Sequence, residues 1–306
     1  MMEVTKDLFE LVPDNEKDKE GVARPSMTYL QDAWRRLKQN KLALFGLAVI
    51  VFMALFAIFV PMFSHYDYST QDFSIANKGA SSAHIFGTDK FGRDIFTRVA
   101  YGARISLTVA LVASALNVLI GIIYGGVSGY FGGWVDMVMM RIVDILNSIP
   151  MLIYVILISV ALGSRDIKGI IIAMTISMWT TMARIVRGQI LTLKEQEFVL
   201  AAKTLGVKPF AIIFRHLIPN SMGSIIVTLT LAIPEAIFTE SFLSFVGVGI
   251  SAPKASWGTL ASEAVEMMRT HPSQLLIPSL AICITVFAFN MLGDGLRDAL
   301  DPKMRK

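Results

Sequence analysis

The sequence predicts an all-α membrane protein with six transmembrane helices and both termini in the cytoplasm. Three observations point there. Of 306 residues only 17% are charged while 54% are hydrophobic, and the mean hydropathy is +0.58. An ordinary soluble domain is about 25% charged, so a soluble chain of this length would lack polar surface to cover its core. Second, apolar runs recur along the chain near the length of about 20 residues that spans a bilayer. Third, Lys and Arg are in excess in the segments that would lie inside, despite the five in the first outside loop. The inside segments would hold 8, 1, 6 and 4 of them, and the outside segments 5, 2 and 2. The net charge of +4 is then a topology signal, not a nucleic-acid footprint, and no nucleic-acid partner is expected. The single cysteine, Cys283, excludes disulfide scaffolds and cysteine-rich metal sites.

The elements follow in order. Residues 1–41 form a polar cytoplasmic segment carrying Lys6, Lys17, Lys19, Arg24, Arg35, Arg36, Lys38 and Lys41. Its length, and that of the run after it, argue against a cleaved signal peptide. The six-helix unit is expected over 42–295. Its runs are Leu42–Phe63, Ile105–Val135, Ile145–Ser164, Gly169–Ala183 extended to Arg187, Leu217–Pro234 extended past Glu235 and Glu240 to Pro253, and Pro272–Gly293. Residues 64–104 make an extracytoplasmic loop, where Lys78, Lys90, Arg93, Arg98 and Arg104 are offset by Asp67, Asp72, Asp89 and Asp94. A cytoplasmic loop covers 188–218, and 296–306 is a cytoplasmic tail.

Within the cytoplasmic loop, KEQEFVLAAKTLGVKPFAIIFRHLIPN (194–220) reads as helix, turn, helix. Phe198, Ala201, Ala202 and Leu205 fall at helical spacing. Gly206 stands where a left-handed C-cap belongs, and Pro209 suits the first turn of a second helix with Phe210, Ile213, Phe214 and Leu217. On pattern alone the segment is either a docking element for a partner or a helix lying on lipid headgroups.

The same segment resembles the EAA loop of ABC importer permeases, E-A-A-x3-G-x9-I-x-L-P. Ala201, Ala202, Gly206 and Pro219 match, while Leu200, His216 and Ile218 replace the Glu, Ile and Leu. Peptide-type permeases commonly lack that Glu. Four further segments are similar to the C-type permeases of peptide and nickel importers: RPSMTYLQDAWRRLKQN (24–40), GTDKFGRDIFTRVAYGARISL (87–107), ESFLSFVGVG (240–249) followed by Pro253 and Ser256–Gly258, and NMLGDGLRDALDP (290–302). The resemblance implies a type I ABC importer permease fold in the bacterial cytoplasmic membrane. Leu200, Ala201, Ala202, Leu205, Gly206 and Pro219 would be the loop that couples to an ATPase. It further implies a homologous permease subunit, two ATPase subunits holding ATP and Mg, and an extracytoplasmic substrate-binding protein. The substrate would be a peptide, most naturally an oligopeptide, and this chain would bind no cofactor of its own.

Other residues carry expectations of their own. Gly87, Gly92 and Gly102 permit turns, and with Asp89, Arg93 and Asp94 pairing locally they suggest a structured cap. Gly121, Gly125, Gly129 and Gly133 recur every four residues, a stripe for close helix packing. Arg141, Asp144, Glu235, Glu240 and Asp294 are ionisable residues at membrane level and should face protein or water. Arg141 and Asp144 are expected to pair. Pro234, Glu235 and Glu240 are candidates for the translocation pathway, with a helix discontinuity at Pro234. Walker A, H-E-x-x-H and G-x-S-x-G patterns do not occur, so the chain is expected not to be an enzyme. The rival reading, an ion-coupled secondary transporter, would need inverted repeats and acidic residues in broken helices.

Overall fold

The computed structural model describes residues 29–163 and 166–300. Lys6, Lys17, Lys19 and Arg24 of the expected N-terminal segment, Ser164 at the end of the third run and Arg165 after it, and Pro302, Lys303, Arg305 and Lys306 of the tail lie outside the described residues. Among the described residues, five single helices and one bent pair are long and apolar enough to cross a membrane.

Helix α1 (Tyr29–Gln39) precedes α2 (Lys41–Phe63). They are separated by Asn40, whose side chain accepts hydrogen bonds from the backbone of Leu42 and Ala43 at 3.1 Å. That cap satisfies two of the free amides at the start of α2. Helix α3 (Ile95–Phe131) begins ten residues before the expected Ile105. Asp94 caps it through the Thr97 amide at 2.8 Å. Arg98 and Arg104, placed in a loop by their charge, lie inside the helix because each finds a partner there. Arg98 is ion-paired, and Arg104 donates to the carbonyls of Ala57 and Ile58 at 3.1 Å. At 1.5 Å per residue α3 is about 55 Å long, well beyond a hydrocarbon core of about 30 Å.

Gly132, at φ +64°, ends α3. The third run is not one straight helix. It is α4 (Gly133–Ser148) and α5 (Met151–Leu162), bent by 85°. Pro150 lacks an amide to continue α4 and holds Ile149 in an extended conformation (φ −90°, ψ 121°). Helix α6 (Ile167–Leu193) continues six residues beyond the expected Arg187. After the loop described below, α10 (Met222–Phe245) passes through Pro234 without a break, so the expected discontinuity is absent. A short α11 (Trp257–Ala264) leads to α12 (Ser273–Leu300), which extends past the expected Gly293 into the stretch assigned to the tail.

The glycine stripe is a packing face between α3 and α6. A Cβ on Gly121 would lie 2.5 Å from the Met182 Cβ, one on Gly125 would overlap the Ala183 carbonyl, and one on Gly129 would lie 2.9 Å from the Ile190 Cβ. Gly133 does not belong to it, because it starts the next helix and nothing lies within 4 Å. The same device joins α2 to α12, where a Cβ on Gly46 would lie 2.5 Å from the Ala288 carbonyl oxygen.

Candidate coupling surface, membrane face and cap

The chain order places two structures at opposite ends of the bundle. The loop between α6 and α10 lies at one end. Residues 64–94 and the segment around α11 lie at the other.

In the loop, α7 (Glu197–Thr204) is followed by Leu205 and by Gly206 at φ +75°. The Val207 amide donates to the Ala202 carbonyl at 3.1 Å and the Gly206 amide to the Lys203 carbonyl at 3.0 Å. This is a Schellman termination, which needs the left-handed residue that glycine supplies without strain. Pro209 then opens α8 (Pro209–Ile212), a wide π turn covers Ile213–Leu217, and α9 (Ile218–Asn220) leads to α10.

The expected stripe of Phe198, Ala201, Ala202 and Leu205 divides between two faces. Ala202 is three residues from Val199 and turns inward with it, onto Ile190, Ile212, Ile213 and Leu217. Phe198, Leu200 and Ala201 are exposed, Leu205 is 83% exposed, and Phe210 and Phe214 are exposed on the segment that follows. Pro219 is exposed near the start of α10. Such a patch of large apolar side chains marks an interaction surface. Beneath it Arg187 grips Asp136 with both Nε and Nη2 at 2.5 Å, and Lys194 donates to the Gly129 carbonyl at 3.2 Å. These contacts fix the α3–α4 turn to α6. Residues 51 positions apart make the first of them, and no local sequence signal announces it. The expected Arg141–Asp144 pair is loose, at 3.9 Å between largely exposed groups. Asp144 also meets Arg184, more closely, at 2.9 Å.

On α10 the three pathway candidates separate. Pro234 is buried and Glu235 is exposed. Glu240, expected beside the pathway, is 0% exposed and enclosed between helices. Five residues at 100° each put it on another side of the helix from Glu235. Its carboxylate accepts hydrogen bonds from Ser106 at 2.7 Å and Ser244 at 2.8 Å. Glu235 sits mid-helix and is in no ion pair among the described residues. A charge facing lipid at that depth costs about 2.5–3.5 kcal/mol on insertion scales, so this face meets water or protein. Ser224, Thr228 and Leu231 share the face on the loop side, and Phe238, Phe242 and Phe245 share it on the cap side. Two depressions lie along it. One, of about 610 Å³, is lined by Gln189, Asn220, Ser224, Thr228 and Arg297 among others. The second, of about 270 Å³, is lined by Phe238, Phe242, Phe245, Ser279 and Cys283 among others.

The cap is structured. Asp89 pairs with Arg93 at 2.7 Å and Arg98 at 2.5 Å, and Glu263 of α11 pairs with the same two arginines at 2.6 and 2.9 Å. The four charges close a ring, in which Arg98 is 2% exposed. Lys90 holds Glu266 at 2.6 Å and keeps its carboxyl below the usual carboxylate range. Asp94, expected to join the local pairing, instead caps α3 and meets His84 at 2.9 Å. Gly87 and Gly92, at φ +78° and +73°, pass so close to the Lys78 and Asp72 carbonyls that a Cβ on either would overlap them. Sequence reasoning missed Arg98 and Glu263 as partners, since 165 residues separate them. Among the described residues no cluster of His, Cys, Asp and Glu could hold a metal ion.

Comparison with known proteins agrees with this architecture. Residues 117–306 match the family described as the binding-protein-dependent transport system inner membrane component. Residues 28–80 match the N-terminal transmembrane domain of oligopeptide transport permease C. The chain is 52% identical to the oligopeptide transport system permease protein OppC of Bacillus subtilis, over all of both chains. It is 49% identical to the dipeptide transport system permease protein DppC of the same organism, covering 99% of this chain and 95% of that one. The OppC protein of Escherichia coli K12 is 46% identical over 90% of this chain and 91% of its own. Among solved structures, the MetNI methionine ABC transporter in an inward-facing form aligns with a TM-score of 0.57 at 18% identity, covering 67% of this chain and 96% of that one. That likeness shows the fold alone. An ion-coupled carrier acting alone is set aside by these relatives. The chain belongs to the binding-protein-dependent inner membrane components, as a bacterial ABC importer permease of the peptide-transport branch that relies on a separate ATPase and is not itself an enzyme.

Proposed function

We propose that this chain forms one half of the translocation pathway of an importer for oligopeptides, paired with a homologous permease. Two ATPase subunits carrying ATP and Mg drive it, and an extracytoplasmic binding protein delivers the peptide. The outer surface of α7 and α8 docks an ATPase. The Glu235 face of α10 lines the pathway, which opens to alternate sides as the ATPases close and part. Both termini and the α7 loop are cytoplasmic, and the 64–94 cap is extracytoplasmic.

The observation that carries this reading is the α7 surface. An apolar helix face, with Leu205 83% exposed beside a rigid Schellman turn, is costly to leave in water and suits a groove on a partner. The names of the relatives support oligopeptides as cargo, with dipeptides the neighbouring choice. Topology is tested by cysteines at two exposed sites, each introduced in a C283S background. A cysteine at Ser81 is expected to react with an impermeant thiol reagent in intact cells, and one at Thr204 is not. Reaction at Thr204 overturns the orientation. Uptake of a length series of peptides by the assembled complex tests the cargo, and a preference for dipeptides would redirect it.

A further inference from the structure

The cap-side half of the Glu235 face combines two features. The first is an exposed carboxylate in the middle of an apolar helix, Glu235, which no lipid-facing surface needs. The second is an aromatic trough one turn further on. Phe238, Phe242 and Phe245 recur at spacings of four and three, with 64%, 52% and 44% of their surface open. They wall the depression of about 270 Å³ between α10, α11 and α12, whose far side carries Ser279 and Cys283. Its size lies near the lower end of the range of about 300–1,000 Å³ seen for small-molecule sites, room for one apolar side chain. The acid beside it selects the end of the peptide. A carboxylate attracts an ammonium group and repels the terminal carboxylate, and the phenyl faces add attraction for a cation.

We infer that this trough together with Glu235 is a cargo-contact site that takes the amino-terminal residue of a peptide, its apolar side chain against the three phenyl rings and its α-ammonium at the Glu235 carboxylate. The inference rests on the pathway reading above and adds to it a ligand chemistry and an orientation. The peptide presents its free amino end to α10. Other occupants of the trough would be lipid or the second permease subunit.

Cys283, the chain's own cysteine, reports on the site without engineering. The test uses the complete reconstituted complex, resting and vanadate-trapped, treated with a hydrophilic maleimide, with C283S as the background control. Labelling of Cys283 in at least one state is expected. A transportable peptide with an apolar first residue and a free amino group should slow it about tenfold more than the same peptide N-acetylated, the ratio expected of one charge-assisted contact. Glu235→Gln should erase that difference. Absence of labelling in both states overturns the pathway reading itself, because lipid or the partner subunit then covers the face. Labelling that neither peptide slows, or that both slow equally, leaves the pathway reading standing and overturns the amino-terminal site. A difference between the peptides that persists in Glu235→Gln also overturns it, since the selection then lies in the binding protein.

Discussion

Ser106 of α3 donates its hydroxyl to the carboxylate of Glu240 in α10 at 2.7 Å, at a point no solvent reaches. The Ser106 oxygen in turn accepts the Trp257 amide at 3.3 Å. On the other carboxylate oxygen Ser244 donates at 2.8 Å, while its own oxygen accepts the Ile250 amide at 3.4 Å. One side chain thus ties α3, α10 and the return through α11 together. Trp257, fully buried and donating Nε1–H to the Val99 carbonyl at 3.0 Å, holds the same joint from the other side.

This geometry predicts how Glu240 responds to substitution. Glu240→Gln keeps an oxygen for one serine, and the hydroxyl of the other rotates to accept the amide. Uptake should remain near wild type, with a small fall in the thermal midpoint of the complex. Glu240→Leu leaves both hydroxyls without an acceptor, at about 1–3 kcal/mol for each unsatisfied group. It should lower the assembled complex in membranes severalfold. Loss of uptake in a fully assembled Glu240→Gln complex would mean that the charge itself is used, and would return Glu240 to the pathway.

The glycine contacts yield a paired prediction. Gly125→Leu drives atoms into the Ala183 carbonyl and the Arg187 amide, neither of which can rotate away. Complex assembly and uptake should both fall. Gly188→Ala on α6 meets nothing within 4 Å and sits inside a helix, so it should be neutral or stabilising by about 0.5–1 kcal/mol. Immunoblots of assembled complex and melting curves check both. Normal assembly of Gly125→Leu would show that α3 and α6 can separate.

The ring of charges in the cap should be intolerant of single losses. Arg98→Met removes a buried cation and leaves Asp89 and Glu263 sharing Arg93 alone. Breaking such a buried pair costs about 3–5 kcal/mol. The cap should loosen from α11, seen as faster proteolysis within 64–94. Adding Asp89→Asn to Arg98→Met removes the stranded charge and should recover part of the protection. Unchanged proteolysis in Arg98→Met would show that the apolar contacts alone hold the cap.

What was legible in the sequence depended on distance along the chain. The glycine spacing at 121, 125 and 129 and the Gly206 turn are local patterns, and the structure uses both as the spacing suggests. Charge was the misleading signal. Arg98 and Arg104 pushed the expected start of α3 to Ile105, because their partners Glu263 and the Ala57 and Ile58 carbonyls come from distant segments. Pro150 bends its run and Pro234 does not. The residue type is the same, so the proline alone does not announce the bend. Glu235 and Glu240 looked alike as membrane acids, yet helix rotation alone puts them on different sides. Which of the two is enclosed required Ser106, 134 residues away.

Coupling gives the last prediction, and the orientation of the two alanines decides which variant tests it. Ala202 is 6% exposed within the apolar cluster that joins the loop to α6. A carboxylate there would be buried without a partner, so Ala202→Asp should reduce folding whether or not an ATPase docks. Ala201 and Leu205 face outward, four residues apart, and can change without touching that cluster. Ala201→Asp and Leu205→Asp should therefore leave the permease inserted and assembled with its homologue, while uptake is lost. The ATPase subunits should be released on purification or should hydrolyse ATP without transport. Gly206→Val strains a backbone held at φ +75° by about 1–2 kcal/mol and should shift the loop to the same effect. A helix resting on lipid would respond differently: single acidic changes would weaken its adsorption slightly and spare uptake. Uptake and ATPase retention measured together separate the two, and wild-type values for both in Leu205→Asp would remove the docking surface from consideration.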